Sequence, residues 1–209
     1  MIISCVSQKG GVGKSSIART IAVEFTRAGW NVLLADIDSS QSTSKNWNEK
    51  RRNDAKIKPV VNCQTFSVTY KALNLASDFD LVVLDGAPHS TRGTLEAALQ
   101  SELVILPTGT SIDDLETQIK LAAELIDSGV SINNIRFVVY ASGSVSQAAE
   151  AIDTVRESGF EVFDDVIDFK LGYIKAFDEG FCATETRYKS LNAKAASLIQ
   201  SINEKINNG

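Results

Sequence analysis

Ten residues near the start of the chain, Ser7-Gln8-Lys9-Gly10-Gly11-Val12-Gly13-Lys14-Ser15-Ser16, constrain the fold more than any other segment. An apolar run over residues 2–7 precedes the glycines and helical amphipathic spacing over residues 14–28 follows, so they lie at a strand-to-helix turn. Backbone without Cβ atoms lets several N–H groups converge at close range, and the N-terminus of the following helix adds partial positive charge. Phosphate oxygens need such a cradle. Lys14 adds a mobile cation, and Ser15 a hydroxyl of the kind that joins a Mg²⁺ shell beside phosphates.

The rest of the sequence repeats the strand-helix rhythm. Residues 32–36, 80–85, 102–107 and 135–140 read as buried strands, with weaker candidates at 59–63 and 161–167. Helical spacing covers 41–52, 112–127, 147–158 and 191–206, with a short helix around Leu73 and Leu75. Gly29 and Gly129 supply the stops. The expected fold is α/β, a doubly wound, mostly parallel sheet of about seven strands flanked by helices. With 209 residues, three prolines and no break in composition, a single domain over 1–209 is expected.

Composition narrows the function. The formal charge of −5 excludes a polycation that coats nucleic acid indiscriminately, so any DNA contact must come from a local patch. Cys5, Cys63 and Cys182 are odd in number and lack CxxC spacing, which points to neither a disulfide framework nor a zinc site. The N-terminus has no basic start and no apolar run of signal-peptide length, and no stretch approaches the roughly 18–20 apolar residues of a membrane span. A cytoplasmic protein is expected.

The glycine loop departs from the usual GxxxxGK[ST] pattern: Gln8 stands at the first glycine, and Lys9 precedes the Gly10-Gly11 pair. In this it resembles the deviant Walker A motif, KGGxGK[ST], of the ParA/MinD family of ATPases. The resemblance implies ATP and Mg²⁺ as cofactors and nucleotide binding by Lys9, Gly10, Gly11, Val12, Gly13, Lys14, Ser15 and Ser16. Lys9 matches the family's signature lysine, which reaches across an ATP-dependent homodimer to the partner's phosphates. Asp36 and Asp38 resemble the family's DxDPQ motif, in which the second aspartate positions the attacking water. Ser39-Ser40 replaces the Pro-Gln that would follow directly, and Gln41 is displaced by one. Asp36 is open between a role at the ligand and orientation of its loop. Residues 81–88, LVVLDGAP, resemble a Walker B strand with Asp85 on the metal, and Gly86 and Pro88 resemble the start of a switch loop whose backbone amide senses the γ-phosphate. The expected catalytic residues are thus Lys14, Asp38 and Lys9, and the metal residues Ser15, Asp38 and Asp85. His89, the sole histidine, is expected to have no catalytic role. In ELVILPTGTSIDDLE, Pro107 resembles the anchor of the family's dimer face, and Gly109 replaces a second proline.

The short chain, without an N-terminal helix-turn-helix, is most like the small plasmid-type ParA partition proteins. The last helix carries only Lys194 and Lys205 as cations, so core packing explains its apolar stripe better than a membrane does. Two basic regions are candidates for non-specific duplex DNA. One is Lys45, Lys50, Arg51, Arg52, Lys56 and Lys58, opposed by Glu49 and Asp54. In the other, Lys170, Lys175, Arg187, Lys189 and Lys194 belong to a tail of charge +2 that follows 169 residues carrying −7. The resemblance therefore implies a nucleoid-associated, ATP-switched partition or positioning ATPase, stimulated by a ParB-like or other adaptor protein, with no membrane partner. The alternatives are a metabolic phosphate-loop enzyme that transfers the γ-phosphate to a small substrate, and a MinD-like localising ATPase.

Overall fold

Seven strands carry most of the apolar sequence: β1 (Ile2–Cys5), β2 (Val32–Asp36), β3 (Asn62–Thr65), β4 (Leu81–Asp85), β5 (Leu103–Thr108), β6 (Ile135–Ala141) and β7 (Ile167–Asp168). They come from a computed structural model that describes residues 1–37, 43–87, 91–141, 144–168 and 170–208. The strands pair in the order β3-β2-β4-β1-β5-β6-β7, and every pairing is parallel. Parallel pairing demands crossovers, supplied by α1 (Lys14–Arg27), α2 (Thr43–Asn53), α3 (Thr69–Leu73), α4 (Thr91–Leu99), α5 (Ile112–Asp127) and α6 (Val145–Glu157), with α7 (Leu171–Asp178) and α8 (Lys189–Asn208) following the last strand.

Helices cover both faces, which is why the central strands are apolar throughout rather than alternating. Ile3, Leu34, Val83, Ile105 and Val138 pack with residues of α1, α2 and α8 on one side. On the other, Leu33, Val82 and Leu84 meet α3 and α4, while Val104, Leu106, Phe137 and Val139 meet α5 and α6. Gly29, at φ +94°, ends α1 in the left-handed conformation and turns the chain into β2. The doubly wound fold expected from the sequence is the one observed, with β1 central between β4 and β5. The polar loops therefore gather at the carboxyl ends of β1, β2 and β4, where open α/β sheets bind ligands.

The differences are local. The strand expected at 59–63 forms at Asn62–Thr65, and that at 161–167 reduces to a bridge between Val162 and Phe137 plus β7. Two helices, α4 and α7, were not legible: each is short and carries an internal glycine, Gly93 or Gly172, that weakens the helical signal. In α8, Ala195, Leu198 and Ile202 are buried, with Leu191, Ile199 and Ile206 packed on the same cluster, as the core-packing reading requires. Among the described residues no helix is long and apolar enough to cross a membrane. Arg51 corrects the sequence reading. Its guanidinium is fully buried, gives Glu185 two hydrogen bonds of 2.7 and 2.9 Å and bonds the carbonyls of Pro59 and Gly180. It is structural and unavailable to DNA, because releasing it would break both of its hydrogen bonds to Glu185 and those to the two carbonyls in the interior.

Candidate nucleotide-binding site

The loop leaving β1 is pinned at its start by Ser7, whose Oγ accepts from the Lys9 amide at 3.0 Å and donates to the Lys9 carbonyl at 3.1 Å. Gly11 and Gly13 lie in the left-handed region, at φ +79° and +92°. A Cβ added to Gly10 or Gly11 would meet none of the described residues within 4 Å, so among them these two positions border open space. A Cβ on Gly13 would overlap the Tyr140 ring, which packs from the end of β6 against the turn into α1. Lys14 opens α1 and is buried, yet has no hydrogen bond or ion pair among the described residues. A buried ammonium without a partner calls for an anion beside it. In front lies a cleft of about 260 Å³, bordered by Gly11, Gly13, Lys14, Ser15 and Ser16 on the loop side, by Tyr140, and by Ile174, Phe177 and Asp178 of α7.

Two carboxylates flank this cradle. Asp36 and Asp85 end adjacent strands as register partners, and both are buried. Asp36 Oδ2 accepts from the amides of Ser44 and Lys45, at 2.9 and 3.1 Å, and so caps the first turn of α2. Of the two roles left open for Asp36, the geometry displays loop and helix orientation. Asp85 Oδ1 accepts from Ser15 Oγ at 3.0 Å, and its Oδ2 from Ser44 Oγ at 2.6 Å. Among the described residues no cluster of three or more His, Cys, Asp or Glu could hold a metal alone. Mg²⁺ takes one or two carboxylates and completes its shell with phosphate oxygens and water. The Ser15 hydroxyl and the Asp85 carboxylate fit that ion, and the empty space beside Gly10 and Gly11 with the unpaired Lys14 fits the phosphates. Nearby, Cys63 is pushed up to about 12 by burial, reinforced by Asp36 and Asp85, so it stays a thiol.

Lys9 points elsewhere. Its Nζ lies 2.8 Å from Oδ1 of Asp114, in the first turn of α5. Burial opposes the Asp114 charge, but hydrogen bonds from Lys9 and Ser111 and the Lys9 charge outweigh it and hold the pKa below its usual value. A Cβ at Gly109 would overlap the Asp114 carboxylate, which accounts for glycine where a second proline was expected. The Pro107 carbonyl accepts from buried Gln118 at 2.6 Å, tying the end of β5 to α5.

The structure thus brings together Gly10, Gly11, Gly13, Lys14, Ser15, Ser16 and Asp85, with Lys9 at the rim; Val12 is buried under the loop. Asp38, Gln41, Pro88 and His89 lie outside the described residues. The Gly86 amide is engaged by the Cys5 carbonyl at 3.1 Å. Sequence reasoning missed Ser44, Arg19, Tyr140 and Asp114. Only Asp114 left a trace, as half of an acidic pair at a helix start, a pattern that ordinarily reads as dipole compensation.

The basic residues proposed for DNA sit apart, at the N-cap of α7, on α7 and α8 and on the segment between them. Lys170, Lys175 and Lys189 are exposed; Arg187 lies 3.7 Å from Glu179, and Lys194 lies 2.8 Å from Asp168.

A glycine cradle at the end of a central strand, with a carboxylate on the adjoining strand end beside the loop serine, defines a phosphate-loop nucleotide-binding protein. The chain belongs to the CobQ/CobB/MinD/ParA nucleotide binding domain family, whose model matches residues 3–180. It is 28% identical to the maintenance of carboxysome distribution protein A of Gloeobacter kilaueensis over 93% of this chain and 88% of that one. Among solved structures, the septum site-determining protein MinD of Pyrococcus horikoshii, complexed with Mg-ADP, matches with a TM-score of 0.73 at 21% identity, covering 97% of this chain and 96% of that one. An aspartate-to-alanine variant of the McdA of Cyanothece, complexed with ATP, matches with a TM-score of 0.72 at 16% identity, covering 97% and 96%. At these identities the two structures establish the fold.

Proposed function

We propose that the protein is an ATP-switched positioning ATPase, in which Mg²⁺-ATP closes a homodimer and hydrolysis reopens it. The observation that carries this reading is the second lysine. Lys14 faces the cradle, whereas Lys9 is held away from it by Asp114 at a partly exposed rim, placed to act outside its own phosphate loop. Its family, and relatives named for MinD and for carboxysome distribution, support the same reading.

In this mechanism the loop amides from Lys9 to Ser16 and the Lys14 ammonium bind the phosphates, while Ser15 and Asp85 hold the metal. Bound Mg²⁺ neutralises the charge that develops between the β- and γ-phosphates. Asp38 orients the attacking water, and Lys9 leaves Asp114 for the phosphates of the partner subunit. The dimer holds duplex DNA non-specifically through the α7–α8 surface, and a ParB-like or other adaptor stimulates hydrolysis and release. The cargo is a protein assembly or a plasmid, and the protein works in the cytoplasm on the nucleoid.

Light scattering after size-exclusion chromatography tests the switch. A dimer in ATP and a monomer in ADP are expected. An oligomer indifferent to nucleotide would instead favour a metabolic phosphotransferase.

A further inference from the structure

Arg19 lies on α1 among core residues, with Ile17, Ala18 and Ile21 buried beside it. Its Nε donates to Ser44 Oγ at 2.8 Å. Arginine has no acceptor and an ionised carboxylate has no donor, so the Ser44 proton must point onward to Asp85 Oδ2, at 2.6 Å. The relay has one direction. It occupies Oδ2 and leaves Oδ1 facing the Ser15 hydroxyl at 3.0 Å. The guanidinium lies 5.6 Å from the centroid of the Trp47 ring and 5.9 Å from that of Phe177, and these contacts restrict its plane. Burial lowers the Arg19 pKa while the charges of Asp85 and Asp36 oppose that effect.

We propose that Arg19 is a positioning residue for the divalent-cation site, fixing the Ser44 hydroxyl on Asp85 Oδ2 so that Oδ1 stays aligned with Ser15 and the metal. The proposal rests on the reading of Ser15 and Asp85 as the Mg²⁺ residues. It assigns Arg19 no contact with nucleotide. Its loss should therefore weaken the metal-dependent part of binding alone. A general role in neutralising buried carboxylates would disturb binding with and without metal alike.

The test is a titration of ADP carrying a fluorescent ribose tag, at Mg²⁺ concentrations from zero upward, which needs no turnover. For Arg19→Gln, the Mg²⁺ required for half-maximal binding should rise about tenfold, the scale of one charge-assisted hydrogen bond, with metal-free affinity within about twofold of wild type. Ser44→Ala should reproduce the shift, and the double variant should add little, because both remove one relay. Arg19→Lys, which keeps the charge and loses the planar fork, should recover only part. Wild-type Mg²⁺ dependence in a folded Arg19→Gln, or a parallel fall with and without metal, overturns the proposal. If Arg19→Gln does not fold, Ser44→Ala decides by the same criterion. A wild-type protein whose nucleotide binding ignores Mg²⁺ would remove the metal reading itself, an outcome visible before any variant is made.

Discussion

The Lys9 ammonium and the Asp114 carboxylate, 105 residues apart in the chain, meet at 2.8 Å and join the phosphate loop to the first turn of α5. Both side chains are partly exposed, so the pair adds little to stability. Its consequence is positional: the ammonium is held off its own cradle.

Lys9→Ala should accordingly stay monomeric in ATP while binding nucleotide nearly as wild type does. Asp114→Asn keeps the shape and removes the charge that restrains Lys9, so it should dimerise at lower ATP concentration. Acid should act in the same direction. The folded Asp114 pKa is lowered, so the pair is intact above the usual carboxylate range and is lost as pH falls through the lowered value. Sedimentation velocity across an ATP series reads all three, and a Lys9→Ala dimer would remove the trans-acting role.

Two glycines of the loop should respond in opposite ways. Gly13 combines φ +92° with contact against Tyr140, so Gly13→Ala should cost at least about 1–2 kcal/mol for the left-handed backbone alone and displace the ring. Gly10 has open space at its Cβ position, so Gly10→Ala should leave Tm unchanged and weaken nucleotide binding by filling the cradle. Thermal unfolding beside equilibrium nucleotide titration separates the cases. Equal losses of Tm in the two variants would mean that Gly10 is structural rather than part of a binding surface.

What could be read from the sequence, and what could not, divides by the range of the interactions. The glycine loop, the apolar runs of β2, β4 and β5 and the spacing of α1 and α5 are local signals, and the observed bounds agree with them closely. The meeting of Ser15 with Asp85 could be anticipated because each ends or follows a recognisable element. The parts of Ser44 and Arg19 could not, since a serine in a polar helix and one arginine in an amphipathic helix acquire meaning only when parallel pairing sets Asp36 beside Asp85. Arg51 misled for the same reason: in α2 it reads as one of a basic run, and only the return of the chain at Gly180 and Glu185 buries it.

That return gives a prediction for stability. Burial opposes the Glu185 charge, but hydrogen bonds from Arg51 and the Cys182 amide, together with the Arg51 charge, hold its pKa below 4.5. A lowered folded pKa means stability that is present above pH 4.5 and is lost as pH falls through the folded value. Glu185→Gln leaves Arg51 buried and uncompensated, so at pH 7 it should cost about 3–5 kcal/mol in urea unfolding. Its loss of stability on acidification should be smaller than in wild type. A cost below about 1 kcal/mol would show that Arg51 is adequately served by the carbonyls of Pro59 and Gly180.

The α7–α8 surface supports the last prediction. Lys170, Lys175 and Lys189 are exposed, whereas Arg187 and Lys194 each face a carboxylate, Glu179 and Asp168. Phosphate attraction grows with each free cation, and a dimer presents the surface twice, so random duplex DNA should bind the ATP dimer more tightly than the monomer. Binding should weaken with salt. Removing one true phosphate contact should flatten the slope of log affinity against log salt by about 0.9, which separates a contact from a folding defect. Charge reversal at Lys170, Lys175 and Lys189 should weaken binding while ATP dimerisation is kept. Arg187→Glu and Lys194→Glu should do less per residue, because those cations are already partly neutralised within the chain. Fluorescence anisotropy with a labelled duplex at several salt concentrations measures each slope. An ATP dimer with no affinity for duplex DNA at low salt would remove the nucleoid from the mechanism and leave a switch that acts through proteins alone.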